Sequence, residues 1–242
     1  MFTDDDVASF ERDGYLLPGR QLFGADKLDA LEAIFDEHLA DKGDKLSDEL
    51  DTPHFRDPRL LEFLLSDEVL DVVEPIVGPD IALWTSHFIS KDPMVGRGTP
   101  WHEDSAFWNG RLSNYERIVT VWLALGPSRR ENGCMRVIPG THSGGFSDYV
   151  AADSAKQTFD RQIAEVDESR AVYFELERGQ YSLHDGRIVH GAEPNTSPLR
   201  RTGYTMRYFP ASTEVLPVEQ NRGHQIWLAR GNGAAGTAYA NR

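Results

Sequence analysis

The chain has 242 residues, 40% hydrophobic and 26% charged, which is the balance of an ordinary globular protein with length enough for a sizeable core. Its formal net charge of -14 disfavours nucleic acid and anionic membranes as partners, because like charges repel over the whole surface. No apolar run approaches the roughly 20 residues that span a bilayer, and the opening Met-Phe-Thr-Asp-Asp-Asp lacks the basic and apolar regions of a signal peptide.

In chain order, residues 3–13 read as a helix. Thr3 is placed to cap it, three aspartates fill its first turn, and Val7, Ala8 and Phe10 form its apolar stripe. Gly14 ends it, and 15–17 follow as a short strand. A second helix is predicted over 26–40, with Leu28, Leu31, Ile34, Phe35 and Leu39 at helical spacing. His38, among acidic residues, reads as a solvated side chain. Residues 41–58 read as a loop, and 58–77 as a third helix stopped by Gly78-Pro79.

Beyond residue 80 the pattern changes. Segments 81–91, 115–125, 134–138, 171–176, 180–184, 187–191 and 201–209 are short, rich in β-branched and aromatic residues, and separated by turn formers. Helices first and short strands after predict an α+β layout with a mainly β core, a sandwich or jelly roll with the N-terminal helices covering one sheet. One domain over 1–242 is expected: a mainly helical part (1–80), a β core (81–210) and a C-terminal tail (211–242). The long polar stretch 143–170 is expected to be a mobile lid. Cys134 is the single cysteine, so no internal disulfide is possible. A small buried side chain in a reducing, cytoplasmic setting is the expectation.

The chemistry concentrates in Thr-Pro-Trp-His-Glu-Asp-Ser-Ala-Phe-Trp, residues 99–108. In an extended run, residues two apart share a face. His102 and Asp104 can therefore aim at one point while Glu103 faces away. That is two-thirds of a two-His-one-carboxylate triad, the ligand set that leaves open positions on non-haem Fe(II). Taken alone, a His-x-Asp pair is more often surface charge or a satisfied polar pair, so a second His must be found downstream. His142 follows a turn signal. His184 and His190 flank Asp185-Gly186, which reads as a hairpin turn. Either of these two serves on chemical grounds. The segment after His190 favours it, because it re-enters a strand at Arg200-Arg201, and arginine suits bidentate carboxylate recognition.

Several segments together carry a resemblance: Phe10-Glu11-Arg12-Asp13-Gly14-Tyr15, Trp101-His102-Glu103-Asp104 with Trp108, and Val121-Trp122-Leu123-Ala124-Leu125. They continue with Glu131-Asn132-Gly133-Cys134-Met135, Pro139-Gly140-Thr141-His142, and His190-Gly191-Ala192-Glu193-Pro194-Asn195 followed by Arg201. The chain resembles the phytanoyl-CoA dioxygenase-like family of Fe(II)/2-oxoglutarate oxygenases over nearly its whole length. The resemblance implies a double-stranded β-helix (jelly roll, cupin-like), with Fe(II), 2-oxoglutarate and O2 as cofactor and cosubstrates. It implies His102, Asp104 and His190 as iron ligands, Arg201 as the clamp on the distal carboxylate of 2-oxoglutarate, and Lys91 and Trp122 near the same cosubstrate. The sequence departs from the common pattern at Thr85, Glu103 and Gln180, none of which is a ligand position.

Relatives that halogenate carry Ala or Gly where this chain has Asp104, so a hydroxylase is expected, releasing succinate and CO2. Phe107, Trp108, His184 and Arg207 are expected near a small-molecule substrate: an amino acid, a small carboxylate or a natural-product intermediate. No basic cluster is present to hold the phosphates of an acyl-CoA. The expected assembly is a monomer or small homo-oligomer. Two competing readings are a jelly-roll metalloenzyme that needs no 2-oxoglutarate, disfavoured by the absence of a His-x-His pair, and an iron-free binding module of the same fold.

Overall fold

The computed structural model describes residues 2–241; Met1 and Arg242, the ends of the expected domain, lie outside the described residues. Helix α1 (Asp4–Asp13) forms where its caps are. Thr3 Oγ1 accepts from the Asp6 amide at 3.2 Å, the Asp6 carboxylate accepts from the Thr3 amide at 2.8 Å, and Gly14 takes the left-handed φ of 82° that ends it. Its buried side chain is Phe10. Ala8 is exposed, so the apolar stripe is narrower than expected.

After β1 (Tyr15–Leu16), helix α2 (Ala25–Ala40) buries Leu28, Leu31, Ile34 and Phe35. His38 is not solvated as expected: its Nε2 lies 3.1 Å from the Asp57 carboxylate and its ring packs against Phe88. The expected loop 41–58 contains β2 (Leu50–Asp51). The expected third helix is broken into α3 (Leu61–Leu64) and α4 (Asp67–Val77). The break falls at Ser66, whose hydroxyl donates to the Phe63 carbonyl at 2.8 Å while Asp67 and Glu68 open the next helix. A serine that bonds the backbone in this way competes with the continuing helix, and two carboxylates suit a fresh N-terminus.

The strands that follow are β3 (Ile81–Lys91), β4 (Thr99–His102), β5 (Val119–Ala124), β6 (Met135–Val137), β7 (Tyr149–Ala151), β8 (Arg161–Ile163) and β9 (Val172–Tyr173). The last four are β10 (Tyr181–Asp185), β11 (His190–Ala192), β12 (Arg201–Pro210) and β13 (Trp227–Arg230), and a short helix α5 (Asp104–Phe107) follows β4. A seven-stranded sheet runs β1-β10-β5-β12-β3-β13 with β2 paired to β3, and a four-stranded sheet runs β4-β11-β6-β9. The chain shuttles between the two sheets, which is the jelly roll.

Alternation decides which residues reach the interior. Val119, Val121, Leu123, Tyr181, Leu183, Tyr204, Met206 and Tyr208 share one core with α2, α3 and α4, so the helices cover the outer face of the larger sheet. Each such side chain contributes about 1.5–3 kcal/mol by leaving water. Their strand neighbours, including Trp122, Thr205 and Arg207, line the space between the sheets.

Three further expectations are corrected. The 211–242 stretch is not merely a tail, because β13 pairs with β3. The turn after His184 is not a hairpin within one sheet. It carries the chain from β10 in the larger sheet to β11 in the smaller, which alternation alone cannot reveal. The extended run through 99–108 stops at His102, and Asp104 begins α5. Within 143–170 the chain forms the β7–β8 hairpin.

Gly203 sits directly over Trp122: a Cβ there would lie 2.3 Å from the indole. The ring is rigid and buried, so Gly203→Ala is expected to cost about 1–3 kcal/mol by overpacking. Urea unfolding measures this, and an unchanged midpoint would contradict the packing.

Candidate active site

His102 closes β4, and Glu103 keeps extended backbone (φ -106°, ψ 133°) before Asp104 opens α5. That one extended residue is enough for the side chains of His102 and Asp104 to point the same way. Glu103 goes the other way, where its carboxylate accepts from the Ser147 amide at 3.1 Å and from the Ser147 and Tyr149 hydroxyls. His190 is the Cα partner of His102 in the β4–β11 ladder, and the two rings lie 4.1 Å apart. One ligand atom from each of His102, Asp104 and His190 falls within 4.8 Å of the others, and all three residues are buried.

The protonation states suit a metal. Each Nδ1–H donates to a carbonyl two residues back, His102 to Pro100 at 2.8 Å and His190 to Ile188 at 3.0 Å, which leaves each Nε2 lone pair free. Burial, with His102 next to it, holds His190 well below the usual histidine range and so neutral. For Asp104 burial alone would raise the carboxyl, but Arg207, with His102 and His190, outweighs it and holds the group well below the carboxylate range. A neutral imidazole at His190 and an ionised carboxylate at Asp104 are the states in which these groups bind metal.

The cluster opens onto a cavity of about 100 Å³ between the sheets. Arg201, which shares the inward face of β12 with Arg207, lines it and is 2% exposed. Its Nε has no partner, and among the described residues no carboxylate pairs with it. Burial pushes its pKa down to about 10. A guanidinium taken from water without a counter-ion is costly, so this one calls for an anionic ligand. Trp122 walls the same space, 5.4 Å from the Arg201 guanidinium. Arg200 turns away to Asp92.

The other expected site residues divide. Lys91 is buried, but its ammonium donates to the Glu193 carbonyl at 2.9 Å and to the Arg97 carbonyl, outside the cavity lining. Phe107 lies beside the cluster, 5.7 Å from the His102 ring. Trp108 is core, edge-on to Trp84 at 6.4 Å. Arg207 is not free for a substrate, because its Nε lies 2.9 Å from Asp104 Oδ2. His184 lines the cavity 5.0 Å from the His190 ring, with both nitrogens unpartnered. His142 is remote, with its Nε2 3.1 Å from the Glu11 carbonyl.

Sequence reasoning missed Phe159, whose ring packs 4.9 Å from that of His102, and the mouth pair Arg97–Asp48 at 2.6 Å. An aromatic residue inside the polar 143–170 stretch was the available signal for the first. The second joins residues 49 apart and left none.

Fold and cluster define a class: a jelly-roll protein with a buried two-His-one-carboxylate site built between its sheets. The family model described as Phytanoyl-CoA dioxygenase (PhyH) matches residues 10–203, and the chain belongs to that family. A phytanoyl-CoA dioxygenase domain-containing protein 1 homolog of Dictyostelium discoideum is 29% identical over 177 residues, 69% of this chain and 60% of that protein. The chain spans about half to two-thirds of the length of the curated relatives it matches. Among solved structures, the non-heme monooxygenase ThoJ in its apo form superposes with a TM-score of 0.80 at 23% identity, covering 98% of this chain and 87% of that one. The non-heme alpha ketoglutarate dependent carbocyclase SnoK from nogalamycin biosynthesis superposes at 0.73 and 22%, covering 91% and 88%. These two likenesses confirm the fold. No helix among the described residues is long and apolar enough to cross a membrane.

Burial pushes the His184 pKa to about 4. The unfolded chain then takes up the proton more readily, so stability is level above pH 6.5 and falls as the pH drops from there to about 4. The expected loss is up to about 3 kcal/mol from this residue. His54 and His224, pushed by burial to about 3 and about 4, add to the total. Urea unfolding of the metal-free protein at pH 7 and at pH 4.5 should show a smaller drop for His184→Phe than for the wild type. Equal drops would place the titration elsewhere.

Proposed function

We propose that the chain is an Fe(II)/2-oxoglutarate-dependent dioxygenase that hydroxylates a small molecule. The observation that carries this reading is a buried His102, Asp104 and His190 cluster sharing one cavity with an unpaired Arg201 guanidinium. The donor set fits iron, since two imidazole nitrogens and a carboxylate oxygen converge within 4.8 Å and each Nδ1 is already bonded to a backbone carbonyl. His102, Asp104 and His190 would hold Fe(II), and Arg201 would bind the distal carboxylate of 2-oxoglutarate against Trp122. When bound, iron, 2-oxoglutarate and O2 supply the oxidising chemistry, with succinate and CO2 as co-products.

The chain's own residues do the rest. Ile89, Trp122, Met135 and Phe159 give the cavity apolar walls that exclude water. His184, kept neutral by burial, offers one donor and one acceptor to whatever occupies the cavity. The Asp104 carboxylate occupies the position that a halide would need, which supports hydroxylation over halogenation. The same proposal takes residues 1–242 as one catalytic domain, a monomer or small homo-oligomer in the cytoplasm, acting on a small molecule.

The deciding experiment is an anaerobic titration of 2-oxoglutarate into Fe(II)-loaded protein, followed by aerobic succinate release over a metabolite panel. The weak visible band of the iron–2-oxoglutarate chelate should appear, and its absence with iron demonstrably bound would sink the reading. Arg201→Met should raise the 2-oxoglutarate dissociation constant by about 10–100-fold, the worth of a charged hydrogen-bonded contact.

Two neighbouring carboxylates provide a second test. Asp104→Ala should abolish oxygenation and weaken iron binding by about 10–100-fold or more. Glu103→Gln should leave iron occupancy nearly intact, because Glu103 faces Ser147 and Tyr149. The reverse result, by metal analysis of the purified variants, would mean that the pocket face is wrongly assigned.

A further inference from the structure

Asp104 is a buried carboxylate with two oxygens in unlike surroundings. Oδ1 lies 3.7 Å from His102 Nε2, on the side where the two imidazoles converge. Oδ2 is held from behind: Arg207 Nε donates to it at 2.9 Å and the Thr120 hydroxyl at 3.5 Å. A longer contact of 3.5 Å joins Arg207 Nη2 to Oδ1. The two donors on Oδ2 are a cross-strand pair, because Arg207 on β12 and Thr120 on β5 are Cα partners in the larger sheet. Their spacing is therefore set by the ladder and not by the carboxylate. Arg207 is also fixed independently of Asp104. Its Nη1 donates to the Thr205 hydroxyl at 3.0 Å, and its guanidinium lies 5.7 Å from the centre of the Trp108 ring.

This arrangement bears on how many coordination positions the protein uses. An octahedral metal held by two imidazoles and one carboxylate oxygen keeps three positions open. A carboxylate that chelates through both oxygens would leave two, too few for a bidentate cosubstrate and dioxygen together. A lone buried carboxylate is free to rotate into either mode.

We infer that Arg207 is a positioning residue for the metal: together with Thr120 it occupies Asp104 Oδ2 and so presents Oδ1 alone to the point shared with His102 and His190. The inference rests on the reading of this cluster as a metal site. It assigns Arg207 away from the substrate and gives β12 two separate duties, Arg201 for the cosubstrate and Arg207 for the ligand carboxylate.

The test uses cobalt(II), whose visible spectrum reports coordination without turnover. Arg207→Met should weaken cobalt(II) binding by about 10–100-fold and change the visible spectrum of the bound ion. Arg207→Lys, which keeps the charge but not the planar fork, should recover part of the affinity while the spectrum stays altered. Thermal melts of both variants check that they are folded. A second arm removes the carboxylate. In Asp104→Gly, added formate should restore cobalt(II) binding, because the Arg207 donors are still in place to hold it. In Asp104→Gly with Arg207→Met, formate should not. Wild-type affinity and spectrum in Arg207→Met, or equal formate rescue in both backgrounds, would overturn the inference and leave Arg207 a brace between β12 and α5. Failure of the wild-type protein to bind cobalt(II) or Fe(II) would instead overturn the metal-site reading, and this inference with it.

Discussion

The whole site hangs on one strand pairing, the register that sets His102 opposite His190 on β4 and β11. These residues are far apart in the chain, and no local preference brings them together. The ladder does so, because directly opposed residues in an antiparallel pair have neighbouring side chains on one face. A slip of one residue would turn one imidazole to the outer face and dissolve the cluster. The register shift between His190 and Ala192, where Ala192 stands opposite Thr99, lies just past His190 and leaves the pair itself in place. The smaller sheet thus places the two imidazoles by backbone bonding alone, and each is then oriented by the carbonyl two residues before it, Pro100 for His102 and Ile188 for His190.

The larger sheet supplies the opposite wall and both of its inward-facing arginines, Arg201 and Arg207 on β12. Its outer face is apolar and buried under α2, α3 and α4, which specifies the strand alternation strongly. The inner face can therefore carry groups that cost stability. Arg201 and His184 are buried with unpartnered nitrogens, and such vacancies in a folded interior are tolerated only where the surrounding structure is secure. The two unsatisfied groups lie in one cavity with the metal-type cluster. The same wall treats its two arginines differently. Arg207 is neutralised by Asp104, whereas among the described residues Arg201 has no carboxylate partner.

Much of this was legible in the residues, and the exceptions have physical causes. The α1 caps, the length of β3 and β12, and the shared face of His102 and Asp104 follow from local rules about capping and alternation. Strand alternation accounts for that shared face only in part, since β4 ends at His102 and a single extended residue, Glu103, carries the geometry onward. The break at Ser66 was obscured because the apolar positions on either side keep helical spacing. The residues around Asp185-Gly186 predict a hairpin because alternation identifies a strand but not its sheet. Trp108 and Lys91 illustrate the limit of reading roles from position. The first packs on Trp84, and the second secures two backbone carbonyls beneath the cavity wall. The Arg97–Asp48 pair and the Phe159 contact arise only from tertiary folding.

The segment 143–170 ties these threads together. It was expected as a lid because it is long and polar, and it contains the β7–β8 hairpin, with Thr158 and Phe159 reaching the cavity. Glu103, the carboxylate that alternation turned away from the metal-type cluster, binds Ser147 and Tyr149 of this same segment. The two carboxylates on either side of one peptide unit thus have complementary duties: Asp104 faces the cavity, and Glu103 anchors the segment whose Thr158 and Phe159 line it. Burial of Glu103 at 2% exposure is sustained by those hydroxyl and amide donors. Loss of those bonds would free the 147–149 stretch without touching His102, Asp104 or His190, which is why adjacent acidic residues in one short motif can fail in different ways.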